Sequence, residues 1–167
     1  MEIKDSGNRR KFGTGAVRDI AEGKGRCDLL PLDVVARIVH LDGKSSSVLF
    51  NINCYVRTGL TEYLYKAIKD FVRKDQSAMC TAMLELAKHY EDGAKKYDER
   101  NWEIGIPLHC YIDSGVRHYL KLLRGDTDEP HDRAFLWNIL GAIWTHENKP
   151  ELIDLPFAEN GEKERKE

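Results

Sequence analysis

A chain of 167 residues has room for one domain with a real core, and 41% hydrophobic against 32% charged residues allows a packed interior under a solvated surface. The formal net charge of -2 argues against a nucleic-acid polymer as partner, because backbone binders carry a marked basic excess. No apolar run is long enough to span a bilayer, and MEIKDSGNRRKFGTG holds no signal-peptide core, so a cytoplasmic protein without membrane contact is expected.

The four cysteines, Cys27, Cys54, Cys80 and Cys110, have neither metal-ligand spacing nor the density of a disulfide scaffold, and are expected reduced. Residues 1–31 form a basic leader with Gly13, Gly15, Gly23 and Gly25. It reads as an ordered loop or arm, with disorder as the alternative. Leu29, Leu30 and Pro31 introduce a first helix through Val34, Val35, Ile38 and Val39, stopped near Asp42-Gly43. From Val48 to Val56, Leu49, Ile52 and Val56 recur at helical spacing, although strand also fits so short a run. Beyond Thr58-Gly59, Leu60, Tyr63, Leu64, Ala67, Ile68, Phe71 and Val72 spell an amphipathic helix.

A longer helix is predicted over Ser77 to Tyr97, with Met79, Met83, Leu86, Ala87, Tyr90, Ala94 and Tyr97 inward. Asp98 to Leu108 reads as a connecting loop. Helix resumes from Tyr111 to Arg124, with Ile112, Val116, Tyr119, Leu120 and Leu123 inward and Gly125 as its stop. After a loop ending at Pro130, a last helix from His131 to about Thr145 buries Phe135, Leu136, Ile139, Ala142 and Ile143. Leu152 to Phe157 adds an apolar patch, and 158–167 reads as a disordered charged tail. The expected fold is an all-α helical bundle, one domain over residues 1–157.

Polar groups recur on the core-bearing helices. Glu85 and His89 are four apart and share a face, with Glu91 and Asp92 near its edge; an exposed Glu85 fits the spacing equally well. Asp113 and Arg117 stand beside His118, as an i,i+4 ion pair or as part of a metal site. His131 and Asn138 lie on one stripe of the last helix, and a buried Asn138 needs partners across the bundle or in a ligand. Asp132 after Pro130 suits a helix N-terminus better than a true HD metal pair. Arg18, Lys24 and Arg26 stand among glycines, and Lys95, Lys96, Arg100 and Asn101 close the long helix; such groups clamp phosphates, or simply solvate a surface. GKGRCDLLP is not a Walker A loop.

Four segments together are more specific than any one of them: GAVRDIAEGKGRCDLLP (15–31), EDGAKKYDERNW (91–102), YIDSGVRHYLKLLRGD (111–126) and HDRAFLWN (131–138). They resemble the phage dATP/dGTP diphosphohydrolase N-terminal family, related to the MazG-like enzymes. The resemblance covers residues 10–31 and 79–145 and leaves 34–76 as a helical insertion. The MazG carboxylate pattern, E-E-x-x-E followed by E-x-x-D, is absent in plain form, and Ala134 stands where many relatives carry a second His.

The resemblance implies a MazG-like bundle that cleaves a purine dNTP between the α and β phosphates, with Mg2+ or Mn2+ as cofactor and a homo-oligomer as assembly. Combined with residue chemistry, it implies Glu85, Asp113, His118 and His131 as metal ligands, with Asp132 and Glu91 in reserve. Glu91 or His89 would take the proton of the attacking water. Lys24, Arg26, Lys96 and Arg117 would meet phosphates, Tyr97 or Trp102 would stack on the base, and Asn101 and Asn138 would complete the substrate pocket. If the chain is phage-encoded, its place is the host cytoplasm. Two alternatives stay open: a nucleotide-binding protein without turnover, and a helical interaction module.

Overall fold

The computed structural model describes residues 7–20, 22–40, 45–72 and 75–157. The expected stop at Asp42-Gly43 and the tail 158–167 lie outside the described residues. Seven α-helices dominate the described part: α1 (Leu32–Ile38), α2 (Ser47–Thr58), α3 (Glu62–Val72), α4 (Gln76–Tyr97), α5 (Asn101–Ile104), α6 (Leu108–Arg124) and α7 (His131–Asn148). The all-α expectation holds, and none of the described helices is long and apolar enough to cross a membrane.

Local chemistry sets the boundaries. Ser46 caps α2 by accepting the Leu49 N–H at 3.3 Å, and Asp75 caps α4 by accepting that of Ala78 at 3.0 Å. Gly59 and Gly125 end α2 and α6 in the left-handed conformation, as their types allow. Pro107 and Pro130 stand directly before α6 and α7, so α6 starts three residues ahead of the expected Tyr111. The expected loop 98–108 contains the short α5, and α7 continues three residues past Thr145.

The leader is ordered, but it is not only a loop. Arg9–Lys11 (β1) and Val17–Asp19 (β2) pair antiparallel, with Arg9 opposite Asp19, Arg10 opposite Arg18 and Lys11 opposite Val17. A 3-10 turn at Cys27–Leu29 follows. Alternation over three residues per strand is too short to read as a strand.

One core joins the helices of the 34–76 stretch to the rest: Leu49, Ile52, Tyr55 and Leu64 are buried with Tyr111, Ile112, Phe135 and Ile139. Helices α6 and α7 approach closely because Gly141 faces Tyr111, where a Cβ would fall 2.3 Å from the ring. No side chain fits there without shifting that ring. Helix α4 lies at the edge. Of its expected inward stripe only Leu86 is fully buried, Ala87 is exposed, and His89 is buried instead. In α1, Val34 and Ile38 face solvent while Leu32 and Ala36 turn inward, and in α6 Leu123 is exposed.

Candidate functional site

Between the hairpin and the α4–α6–α7 face lies a cavity of about 690 Å³. Asn101, at the start of α5, pins the hairpin over it. Its Nδ2 donates to the Val17 carbonyl and its Oδ1 accepts the Val17 N–H, both at 2.9 Å. Arg117 holds the glycine loop down by donating to the carbonyls of Lys24 at 3.0 Å and Gly25 at 2.9 Å, and to Asp113. The other Asp113 oxygen accepts the Cys27 N–H at 2.6 Å. The Asp113–Arg117 pair therefore fastens the arm, and this carboxylate is already committed to two donors.

The arm end is strongly cationic. Arg10 and Arg18 are directly opposed across the hairpin and both line the cavity. Like charges in that relation repel. Arg18 donates to the Cys110 carbonyl at 3.0 Å and to Asn138 Oδ1 at 2.8 Å, over the rings of Trp137 and Tyr111 at 5.3 and 5.4 Å. All four partners are neutral. Burial, with Arg10 adding to it, pulls its pKa below the ordinary guanidinium value. The buried Nε of Arg10 has no acceptor among the described residues. Around the whole cavity, six cationic side chains (Arg10, Arg18, Lys24, Arg117, Lys121, Arg124) outnumber three carboxylates (Asp19, Asp113, Glu129).

The opposite end, where the α6–α7 turn closes, has another chemistry. His118 Nδ1 and His131 Nδ1 stand 3.0 Å apart, and Glu129 Oε1 is 3.7 Å from each. The far nitrogen of His131 meets Asp128 at 2.8 Å. These groups could hold a metal ion, as could the overlapping set Asp126, Asp128 and His131. Burial first, and the neighbouring His131 second, push the His118 pKa well below its usual value.

Between the ends, His89 and Trp137 form part of the wall, their rings 6.4 Å apart. His89 Nδ1 is buried and has no hydrogen-bond partner among the described residues. Burial, then repulsion by Arg133, lowers the His89 pKa to about 4, so the imidazole is neutral near pH 7.

Of the residues singled out in the sequence, Lys24, His89, Tyr97, Asn101, Asp113, Arg117, His118 and Asn138 line this cavity, and His131 adjoins it through His118. The rest do not reach it. Glu85 pairs with Lys88 and, at 3.8 Å, with Arg133 on the outer side of α4; Glu91 is exposed and bound to Lys95 at 2.7 Å. Asp132 is exposed at the start of α7, and Arg26 is spent on Asp28 at 2.7 Å. Lys96 lies over the Tyr97 ring outside the cavity. Trp102 packs edge-on against Trp144 and Tyr90 at 5.0 and 5.9 Å. Arg18, named in the sequence among groups that clamp phosphates or solvate a surface, also lines the cavity, and so do Arg10, Lys121, Arg124, Glu129 and Trp137, to which the sequence assigned no site role. The signals for two of them were at hand, a carboxylate two positions before His131 and an indole beside Asn138.

A family model described as dATP/dGTP diphosphohydrolase, N-terminal, matches residues 66–155. It spans the 79–145 part of the sequence resemblance and leaves the leader outside. No curated protein and no solved structure matches the chain.

Proposed function

The chain belongs to the dATP/dGTP diphosphohydrolase N-terminal family, and from that premise we propose that the cavity binds a purine deoxynucleoside triphosphate and hydrolyses it to the monophosphate and pyrophosphate. The reaction class is that of the MazG-like enzymes. One observation carries the reading: two opposed arginines, Arg10 and Arg18, face a cavity in which Arg18 has only neutral partners among the described residues. A buried cation without a counter-charge is costly, and a polyphosphate supplies that charge with the geometry a guanidinium fork prefers. Lys24, Lys121 and Arg124 also line the cavity, each paired with a carboxylate, Asp19 at 2.9 Å, Asp128 at 3.3 Å and Asp126 respectively, that a phosphate would have to compete with.

Trp137 and Tyr97 supply aromatic surface to the cavity wall beside a bound base, and the neutral His89 forms part of the same wall. In the reaction, a water oxygen bonds to the α-phosphorus as the bond to the bridging oxygen breaks. The electron pair leaves on pyrophosphate and the water's proton passes to solvent. With a pKa of about 4, His89 is a weak proton acceptor, better suited to positioning than to general-base work.

Magnesium does not fit the histidine end. It demands oxygen ligands in octahedral array, whereas each cluster there includes imidazole nitrogen. On this reading magnesium arrives as the counter-ion of the triphosphate. A divalent ion bound at that end would supply charge neutralisation to the phosphates.

Binding without turnover is the second reading. It is favoured by the carboxylates: Glu85 and Glu91 lie outside the cavity, and Asp113 is held by Arg117 and Cys27. The test is pyrophosphate release from a panel of dNTPs and NTPs, with magnesium, with manganese and with EDTA. Metal-dependent pyrophosphate and monophosphate from dATP or dGTP is the expected result. A nucleotide that raises Tm without being cleaved would establish the second reading, and no binding at all would overturn both.

A further inference from the structure

We propose that His118, Glu129 and His131 form a resident site for a first-row transition-metal ion of the manganese, cobalt or zinc class, open toward the cavity. The three donor atoms come from three different places: α6, the turn after it, and the first residue of α7. Their separations of 3.0, 3.7 and 3.7 Å define a triangle whose corners are all about 2.0 Å from one central point. Zinc–nitrogen and zinc–carboxylate bonds are ~2.0–2.2 Å long, so a single ion just off that plane would be within bonding distance of all three donors, replacing the Nδ1–Nδ1 hydrogen bond once His118 carries its proton on Nε2.

The supporting groups have the form such a site requires. His131 Nε2 meets Asp128 Oδ1 at 2.8 Å, which holds the proton on that nitrogen and leaves Nδ1 as a lone-pair donor. The His131 side chain is fully buried, and those of His118 and Glu129 are mostly so. His118 and Glu129 also line the cavity, so the fourth position faces the place where a ligand would enter. Two imidazoles and one carboxylate favour borderline ions over magnesium or calcium. Lys121 lies 3.8 Å from the same Glu129 oxygen and competes for its charge without blocking the two nitrogens. Only the ion's part in hydrolysis rests on the function proposed above; its binding needs no nucleotide.

The experiment uses the full chain after dialysis against a chelator, titrated with Co2+ alone. The expected result is one equivalent bound, with the visible d–d bands of histidine-ligated cobalt. Mn2+ and Zn2+ should raise Tm at concentrations where Mg2+ does not. His131 is buried and its variants risk unfolding, so Glu129→Gln and Asp128→Asn carry the test. The first should lose the bands or weaken cobalt binding at least ~100-fold, and the second should weaken it ~10–100-fold. Featureless titration, equal Tm shifts from magnesium and manganese, or wild-type cobalt affinity in Glu129→Gln would each overturn the site. Cobalt binding in a chain that cleaves no nucleotide would leave the site standing and remove the hydrolase reading. Unimpaired pyrophosphate release with magnesium in a Glu129→Gln chain that no longer takes cobalt would separate the two the other way, making the ion dispensable to the reaction.

Discussion

The two ends of the cavity are unfinished in opposite senses. At the arm end, Arg10 and Arg18 crowd positive charge against neutral partners. At the α6–α7 end, two imidazole nitrogens and a carboxylate oxygen converge with Asp128 behind them. One end wants an anion and the other wants a cation. Neither arrangement is favourable in isolation, because folding stabilises charge that is paired and penalises charge that is not. The contrast teaches that the cavity is complementary to something with both kinds of charge, and a nucleotide polyphosphate beside a divalent ion has that pattern.

The largest expected effect lies at the arm end. Arg18→Met keeps most of the volume and removes the charge. Binding of dATP or dGTP, measured calorimetrically, should weaken roughly 100-fold, the scale of a lost charge-assisted contact. Cobalt binding at the other end should not change. Near-wild-type nucleotide affinity in a folded Arg18→Met chain would break the comparison, since Arg18 would then be only a strut between Cys110 and Asn138.

A second, smaller effect concerns His89, on the wall between the ends. Its folded pKa of about 4 lies below the unfolded value near 6.5, because burial first and Arg133 second disfavour the imidazolium. The unfolded chain therefore binds this proton more readily than the native one. The stability owed to a neutral His89 is complete above about pH 6.5 and declines as pH falls toward 4. Between pH 7 and pH 5 the loss is about 2 kcal/mol. Chemical denaturation of wild type and His89→Gln at both values isolates it, because His118 and the carboxylates titrate in both chains. Parallel pH dependence in the two chains would mean that water or an acceptor reaches the imidazole.

How much of this was legible beforehand depends on what each residue's neighbours are. Helices were readable because their signals are local: Gly59 and Gly125 stop α2 and α6, and Pro130 stands directly before α7. His118 and His131 were singled out, as were Asp113 and Arg117. That two imidazoles meet depends on the α6–α7 approach permitted by Gly141 against Tyr111, which no spacing reports. Glu85 shows the converse. Its i,i+4 relation to His89 is real, yet α4 lies at the bundle edge, and a small rotation of the helix separates a buried imidazole from a carboxylate paired with lysine. Arg18 stood in view among the glycines, but its role depends on being opposite Arg10 in a hairpin too short to announce itself.

The smallest effect would sharpen the comparison most, because it acts on one end without touching any charge. Asn101 contributes no charge to the cavity and spends its amide on the Val17 backbone, in two hydrogen bonds of 2.9 Å. Asn101→Ala should cost roughly 1–2 kcal/mol of stability, since each such bond contributes on the order of 0.5–1.5 kcal/mol net. If the amide's purpose is to hold Arg10 and Arg18 over the cavity, freeing β2 spreads those guanidiniums over many positions. Nucleotide affinity should then fall about tenfold while all six cations remain in the chain. Cobalt affinity at His118, Glu129 and His131 should stay within twofold, because those donors lie on α6, α7 and the turn that joins them and not on the hairpin. An equal loss at both ends would mean that α5 supports the whole cavity. A loss confined to nucleotide binding would show that the two ends are built, and can be broken, separately.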